Sequence, residues 1–254
     1  MATIAAAFPF IEVRIDTSAL APIAQRAPGV IAIVGTTPNG AVGGTAPINT
    51  PIAVDTIDQA AELFARLNTD GTIAETPLFR SLVLAKLQDP APSKVYGVRA
   101  AGDDYAAALS GLEAADDVTF VALAAETDVG AEATDTGPAT GLQALKSHVE
   151  TMSAEGQKRL GVAMIDPGTA KSPTYVADVA AAVASLKSDS SRMVMIAARG
   201  VEGDAAVTAM AAMAGFAPHV SLVLKRLRGI RIPTASQYSP SEIKGLSEEQ
   251  IIPV

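Results

Sequence analysis

The sequence predicts an α/β fold: a mainly parallel or mixed central sheet flanked by helices. Three observations lead there. From Lys94 onward, short apolar runs alternate with stretches of helical length that are amphipathic or alanine-rich. Several runs, such as VTFVALA and RLGVAMID, are apolar on successive residues, as a strand buried on both faces requires. Aromatic residues make up only 4% of the chain and tryptophan is absent, so the interior is built from Ala, Val, Ile and Leu, side chains that let helices lie close on a sheet.

The elements follow in order. FIEVRID alternates Ile11, Val13 and Ile15 with Glu12, Arg14 and Asp16, the period of a strand with one apolar and one charged face. TSALAPIAQRAPG separates it from the next strand, which assigns residues 1–27 to an N-terminal arm, 28–232 to an α/β core and 233–254 to an extended C-terminal arm. Val30–Gly35 reads as a buried strand leaving through a turn at Pro38, Asn39 and Gly40. A short extended piece at Pro51–Val54 precedes TIDQAAELFARL, where Thr56 and Gln59 have capping-box spacing and Ile57, Ala60, Ala61, Phe64 and Leu67 share a face. TPLFRSLVLAKL starts a second helix with Thr76 as cap and Pro77 at the first helical position, and DPAP stops it. Thereafter strands KVYGVRA, VTFVALA, RLGVAMID and RMVMIAA alternate with helices YAAALSGLEAA, GLQALKSHVETMS, YVADVAAAVASLK and DAAVTAMAAMAG.

Charge narrows the function. The formal net charge of −8 disfavours nucleic acid and anionic membranes as partners. The two long uncharged stretches are broken by prolines and glycines, so no membrane insertion is expected. Without cysteine there is no disulfide, thiolate nucleophile or cysteine metal site. Between Arg99 and Lys146 no basic residue occurs, and the small, polar loop ETDVGAEATDTGPAT is expected to be mobile. Conversely, LKRLRGIRIP packs Lys225, Arg226, Arg228 and Arg231 together with no acid adjacent in sequence. Such a strip is either a solvated edge or a dock for an acidic partner.

Motifs for chemistry are sparse. Gly35 and Gly40 have P-loop separation, but Ala41 and Val42 stand where the lysine and hydroxyl belong, and prolines follow in place of a helix. His148 and His219 lie in no metal-ligand spacing, and His148 reads as an ordinary surface residue of its helix. No metal or cofactor is expected. One candidate for an enzyme or small-molecule binder is Asp166, at the carboxyl end of a parallel strand, where open α/β sheets bind ligands; its alternative role is to cap the turn before Pro167 and Gly168.

Taken together, APGVIAIVGTTPNG, TPIAVDTIDQAAELFARL, KVYGVRAAGDD, DDVTFVALA, RLGVAMID and the closing SEIKGLSEEQIIPV resemble the sheath protein of contractile phage tails and related injection systems. The likeness extends over about residues 9–200. It departs from the family where Ala65 follows Phe64 in place of glycine, and in lacking the Pro-Pro-Ser-Gly segment and the Trp-Gly-x-Arg-Thr ending, so the expectation is a minimal sheath. The resemblance implies a virion-tail subunit without enzymatic activity, forming stacked hexameric rings around an inner tube protein and meeting baseplate and tail terminator proteins. It further implies strand exchange between copies through Ile11, Val13 and Ile15 at one end and Ile251, Ile252 and Val254 at the other. The strip Lys225, Arg226, Arg228 and Arg231 would face the tube.

Overall fold

The computed structural model describes residues 29–36, 44–68, 72–165, 168–187, 190–215 and 226–254. Its framework is a seven-stranded sheet, built in chain order as follows. β1 (Val30–Thr36) is followed by the short β2 (Pro51–Ala53) and α1 (Ile57–Phe64). A two-stranded hairpin, β3 (Arg66–Leu67) and β4 (Ile73–Ala74), leads to α2 (Pro77–Lys86). Regular alternation then runs through β5 (Lys94–Ala100), α3 (Tyr105–Gly111), β6 (Phe120–Leu123), α4 (Gly141–Ala154), β7 (Leu160–Ile165), α5 (Tyr175–Ala182), β8 (Met193–Ala197) and α6 (Ala205–Gly215). The chain closes with α7 (Pro240–Glu248) and β9 (Ile251–Pro253).

The strand order is β2-β5-β1-β6-β7-β8-β9, parallel except for β2 against β5. This is the mostly parallel α/β fold that the apolar runs require. Both faces are covered. Val30, Ala32 and Val34 of β1 pack with α3, α4, α5 and α7, while Ile31 and Ile33 pack with α1, α2 and α6. Because side chains alternate across a strand, an apolar run such as VIAIV feeds two cores at once. The alanine-rich α6 is buried almost all round, as its uniform sequence demands: it lies between the sheet and α2.

Two helix starts follow the sequence closely. Thr76 accepts from the Phe79 N–H and Pro77 opens α2. Thr56 accepts from the Gln59 N–H, but the Gln59 side chain reaches past the cap to Asp55 and Ala53, so the expected capping box is only half made.

The C-terminal stretch corrects the expectation of an extended arm over 233–254. Ser239 and Glu242 form a reciprocal capping box with Pro240 in the first turn, which starts α7, and Leu246 is fully buried beneath it. β9 then pairs parallel with β8 of its own chain, Met195 opposite Ile251 and Ile196 opposite Ile252, and the Val254 N–H donates to the Ala197 carbonyl at 2.9 Å. The acidic loop after β6 is likewise laced in place. Glu126 Oε1 accepts from the N–H groups of Thr127 and Asp128, Thr140 Oγ1 from Ala131, and the Asp128 carbonyl from Leu142. The N-terminal arm and the Pro38–Gly40 turn lie outside the described residues.

Packing at the end of β1 is tight enough to test. A Cβ on Gly35 would stand 2.7 Å from Ala124 Cβ and 2.9 Å from Leu78 Cβ, because the first turn of α2 rests directly on the strand. Gly35→Ala is expected to lower the unfolding free energy by about 1–3 kcal/mol through overpacking, measured by urea denaturation; wild-type stability would contradict this contact.

Candidate functional site

In a doubly wound sheet the ligand crevice opens outside the carboxyl ends of the strands, where the chain's direction of winding reverses. Here that point lies between β1 and β6, since β5 is on one side of β1 and the chain resumes on the other with β6. Described residues pack closely at this point. Gly35 abuts Leu78 and Ala124, and Asp204, 2% exposed, reaches in from the start of α6. Its Oδ2 accepts from Ser81 Oγ at 2.7 Å and from the Ala125 N–H at 2.8 Å, and its Oδ1 from the Val207 N–H at 2.9 Å. Burial pushes the Asp204 carboxyl above its usual range, against the pull of these donors. Asp204 and Ser81 therefore form a buried clasp joining α2, α6 and the end of β6. Ser81 is itself 1% exposed. Asp166 lies outside the described residues, as do His219 and Lys225. Among the described residues no three His, Cys, Asp or Glu side chains are placed to hold a metal ion, and no helix is long and apolar enough to cross a membrane.

The basic strip is anchored by its backbone. The Gln88 amide makes two bonds to Arg228: Nε2 donates to the carbonyl at 2.9 Å and Oε1 accepts from the N–H at 3.1 Å. Three residues on, Arg231 and Glu202 exchange both backbone hydrogen bonds. The side chains project outward. Arg228 meets Asp89 at 3.0 Å and Arg231 meets Glu202 at 3.5 Å, with 56% and 76% of the arginine side chains exposed. Sequence reading found no acid beside the strip; folding brings Asp89 and Glu202 to it from distant segments. Exposed pairs of this kind contribute about 0–1 kcal/mol each, so they exchange readily for another acid.

Ile251 is 1% exposed in the chain's own core, and Ile252 and Val254 are half-buried beside it. They are held there through Arg199, a residue that sequence reading missed. Its guanidinium donates to Glu242 Oε1 at 2.7 Å and to the carbonyls of Ser236 and Gln237, and it stacks on the Tyr175 and Tyr238 rings at 4.3 and 4.6 Å. The guanidinium in turn draws the Glu242 carboxyl down to about 2. The one signal in sequence was Ser239-Pro240-x-Glu242, the start of a helix that carries the counter-charge.

His148 is corrected from surface to core. It is 8% exposed and its Nε2 lies 2.9 Å from Nη1 of Arg159, which is itself fully buried and donates to the carbonyls of Leu112 and Ala115. A neutral imidazole accepts this bond; a charged one would face a guanidinium without water between them.

No protein-family model matches the chain, and no curated protein matches it.

Burial, reinforced by Arg159, lowers the His148 pKa to about 4. The unfolded chain takes up this proton near pH 6.5 and the folded chain only near pH 4. Stability is thus full above pH 6.5 and falls by up to about 3 kcal/mol as pH drops to 4. His148→Gln, which keeps an acceptor for Arg159, is expected to flatten that slope in urea titrations; an unchanged slope would contradict the buried neutral imidazole.

Proposed function

We propose that the chain is a structural subunit of a contractile tail sheath, assembling into stacked six-membered rings around an inner tube, in a virion tail or related injection system, and that it is not an enzyme. The sequence resemblance supports this reading, and so does the way the molecule distributes its polar groups. The observation that carries it is the arginine row. Arg228 and Arg231 stand on a backbone clamped by Gln88 and Glu202, with the exposed Arg226 just before them, and the row's described ion pairs are exposed and exchangeable. Arginines whose present partners, Asp89 and Glu202, are exposed and replaceable suit a grip on an acidic partner that must be made and released many times. The tube supplies that partner in this reading, and baseplate and terminator proteins close the two ends.

Linkage between rings then falls to the N-terminal arm. Ile11, Val13 and Ile15 remain the strand offered to a neighbour, because backbone pairing joins subunits without fixing their angle. Ile251, Ile252 and Val254 stay with their own sheet. Contraction would draw its energy from a metastable assembly, without nucleotide.

Negative-stain electron microscopy of the purified full chain tests the proposal. Hollow tubes or six-fold rings are expected; monodisperse single chains at high concentration would overturn it.

A further inference from the structure

We infer that Gln59 guards the β2 edge of the sheet against pairing with a second copy of this chain. The geometry follows from strand parity. Val54 donates its N–H to Val95 at 2.8 Å, so Ile52 and Val54 turn their backbone groups toward β5, and Pro51, Ala53 and Asp55 turn theirs away. Among the described residues no strand lies beyond β2. The outward groups are the N–H and carbonyl of Ala53 and of Asp55, and the carbonyl of Pro51.

Those groups are self-complementary. If a second β2 approached antiparallel about a twofold axis at Ala53, each Ala53 N–H would meet the other Ala53 carbonyl. Each Asp55 N–H would meet the other Pro51 carbonyl. Four hydrogen bonds result; the two that would run from a residue-51 N–H to the other copy's Asp55 carbonyl are lost to the proline. Unpaired edges of this kind template association, and folded proteins blunt them.

Gln59 intercepts all four. From the first turn of α1 its Oε1 accepts from the Asp55 N–H at 2.8 Å, and its Nε2 donates to the Ala53 carbonyl at 3.4 Å. Every one of the four intermolecular bonds has one of these two occupied groups at an end. The side-chain amide turns one of its two N–H donors and its carbonyl oxygen toward β2 in one plane, as a peptide group would, on the side from which a second strand would come. A capping box would have turned this side chain toward the Thr56 N–H instead; its position over β2 is the departure that the guard explains.

The test uses the absence of cysteine from the chain. In the twofold register the two Ala53 Cα atoms would lie about 5.5 Å apart, within disulfide range. Ala53→Cys is compared under mild oxidation alone, with Gln59→Leu and with Gln59→Ala, on non-reducing gels. Disulfide-linked dimer is expected in both double variants, rising with concentration, and not in Ala53→Cys alone. The Asp55 amide should also exchange roughly tenfold faster once Gln59 is replaced. Equal cross-linking with and without Gln59 would overturn the inference, as would dimer with Leu but not Ala, which would report apolar adhesion, or an Asp55 amide whose exchange does not change. The inference is independent of the sheath reading: contacts elsewhere are common to all three proteins and cancel in the comparison.

Discussion

A guanidinium that cannot reach water must be neutralised where it lies, and Arg199 is such a group: it sits just past the carboxyl end of β8 with its side chain 4% exposed. The segment from Ser236 to Glu242, together with Tyr175, answers it. Glu242 brings the charge, Ser236 and Gln237 bring carbonyls, Tyr175 and Tyr238 bring ring faces, and the Tyr238 hydroxyl accepts the Arg199 backbone N–H at 2.8 Å. Once α7 is held this way, Leu246 fills the core and β9 meets β8. The last residues of the described chain are thereby part of the folded unit, and separating them would strand a buried charge.

The same economy governs the sheet's interior. Polar groups that penetrate it meet partners inside the fold: Asp204 with Ser81 and backbone donors, Arg159 with His148, Gln157 and two carbonyls. Tight contacts such as Gly35 on Leu78 seat α2 directly on the end of β1. Among the described residues, Arg228 and Arg231 turn outward from a clamped backbone. Exposed, exchangeable charge pairs of this kind are what the proposed sheath role draws on.

From Lys94 to Gly215 the architecture was legible in sequence because parallel strands buried on both faces are apolar without interruption, and alanine-rich helices contrast with them. Legibility failed where the deciding partner is remote. Nothing beside His148 announces Arg159, whose carbonyl partners at Leu112 and Ala115 lie in another segment. Nothing beside Arg228 announces Asp89, 139 positions away, or beside Asp204 announces Ser81, 123 positions away. The β3–β4 hairpin has two-residue strands, too short to show a period. At the C-terminus the local signal was present in Ser239, Pro240 and Glu242, but its meaning depended on Arg199, because a nine-residue helix with one fully buried side chain is held by its tertiary contacts.

The central claim is that β9 completes its own chain's sheet. Met195 and Ile251 are register partners and the chain has no other thiol, so Met195→Cys with Ile251→Cys offers one unambiguous bond. After oxidation of the protein in its assembled form, the account predicts a disulfide within each chain and a single-chain band on a non-reducing denaturing gel. A ladder of covalently joined chains would show the strand seated in a neighbour, and would contradict it.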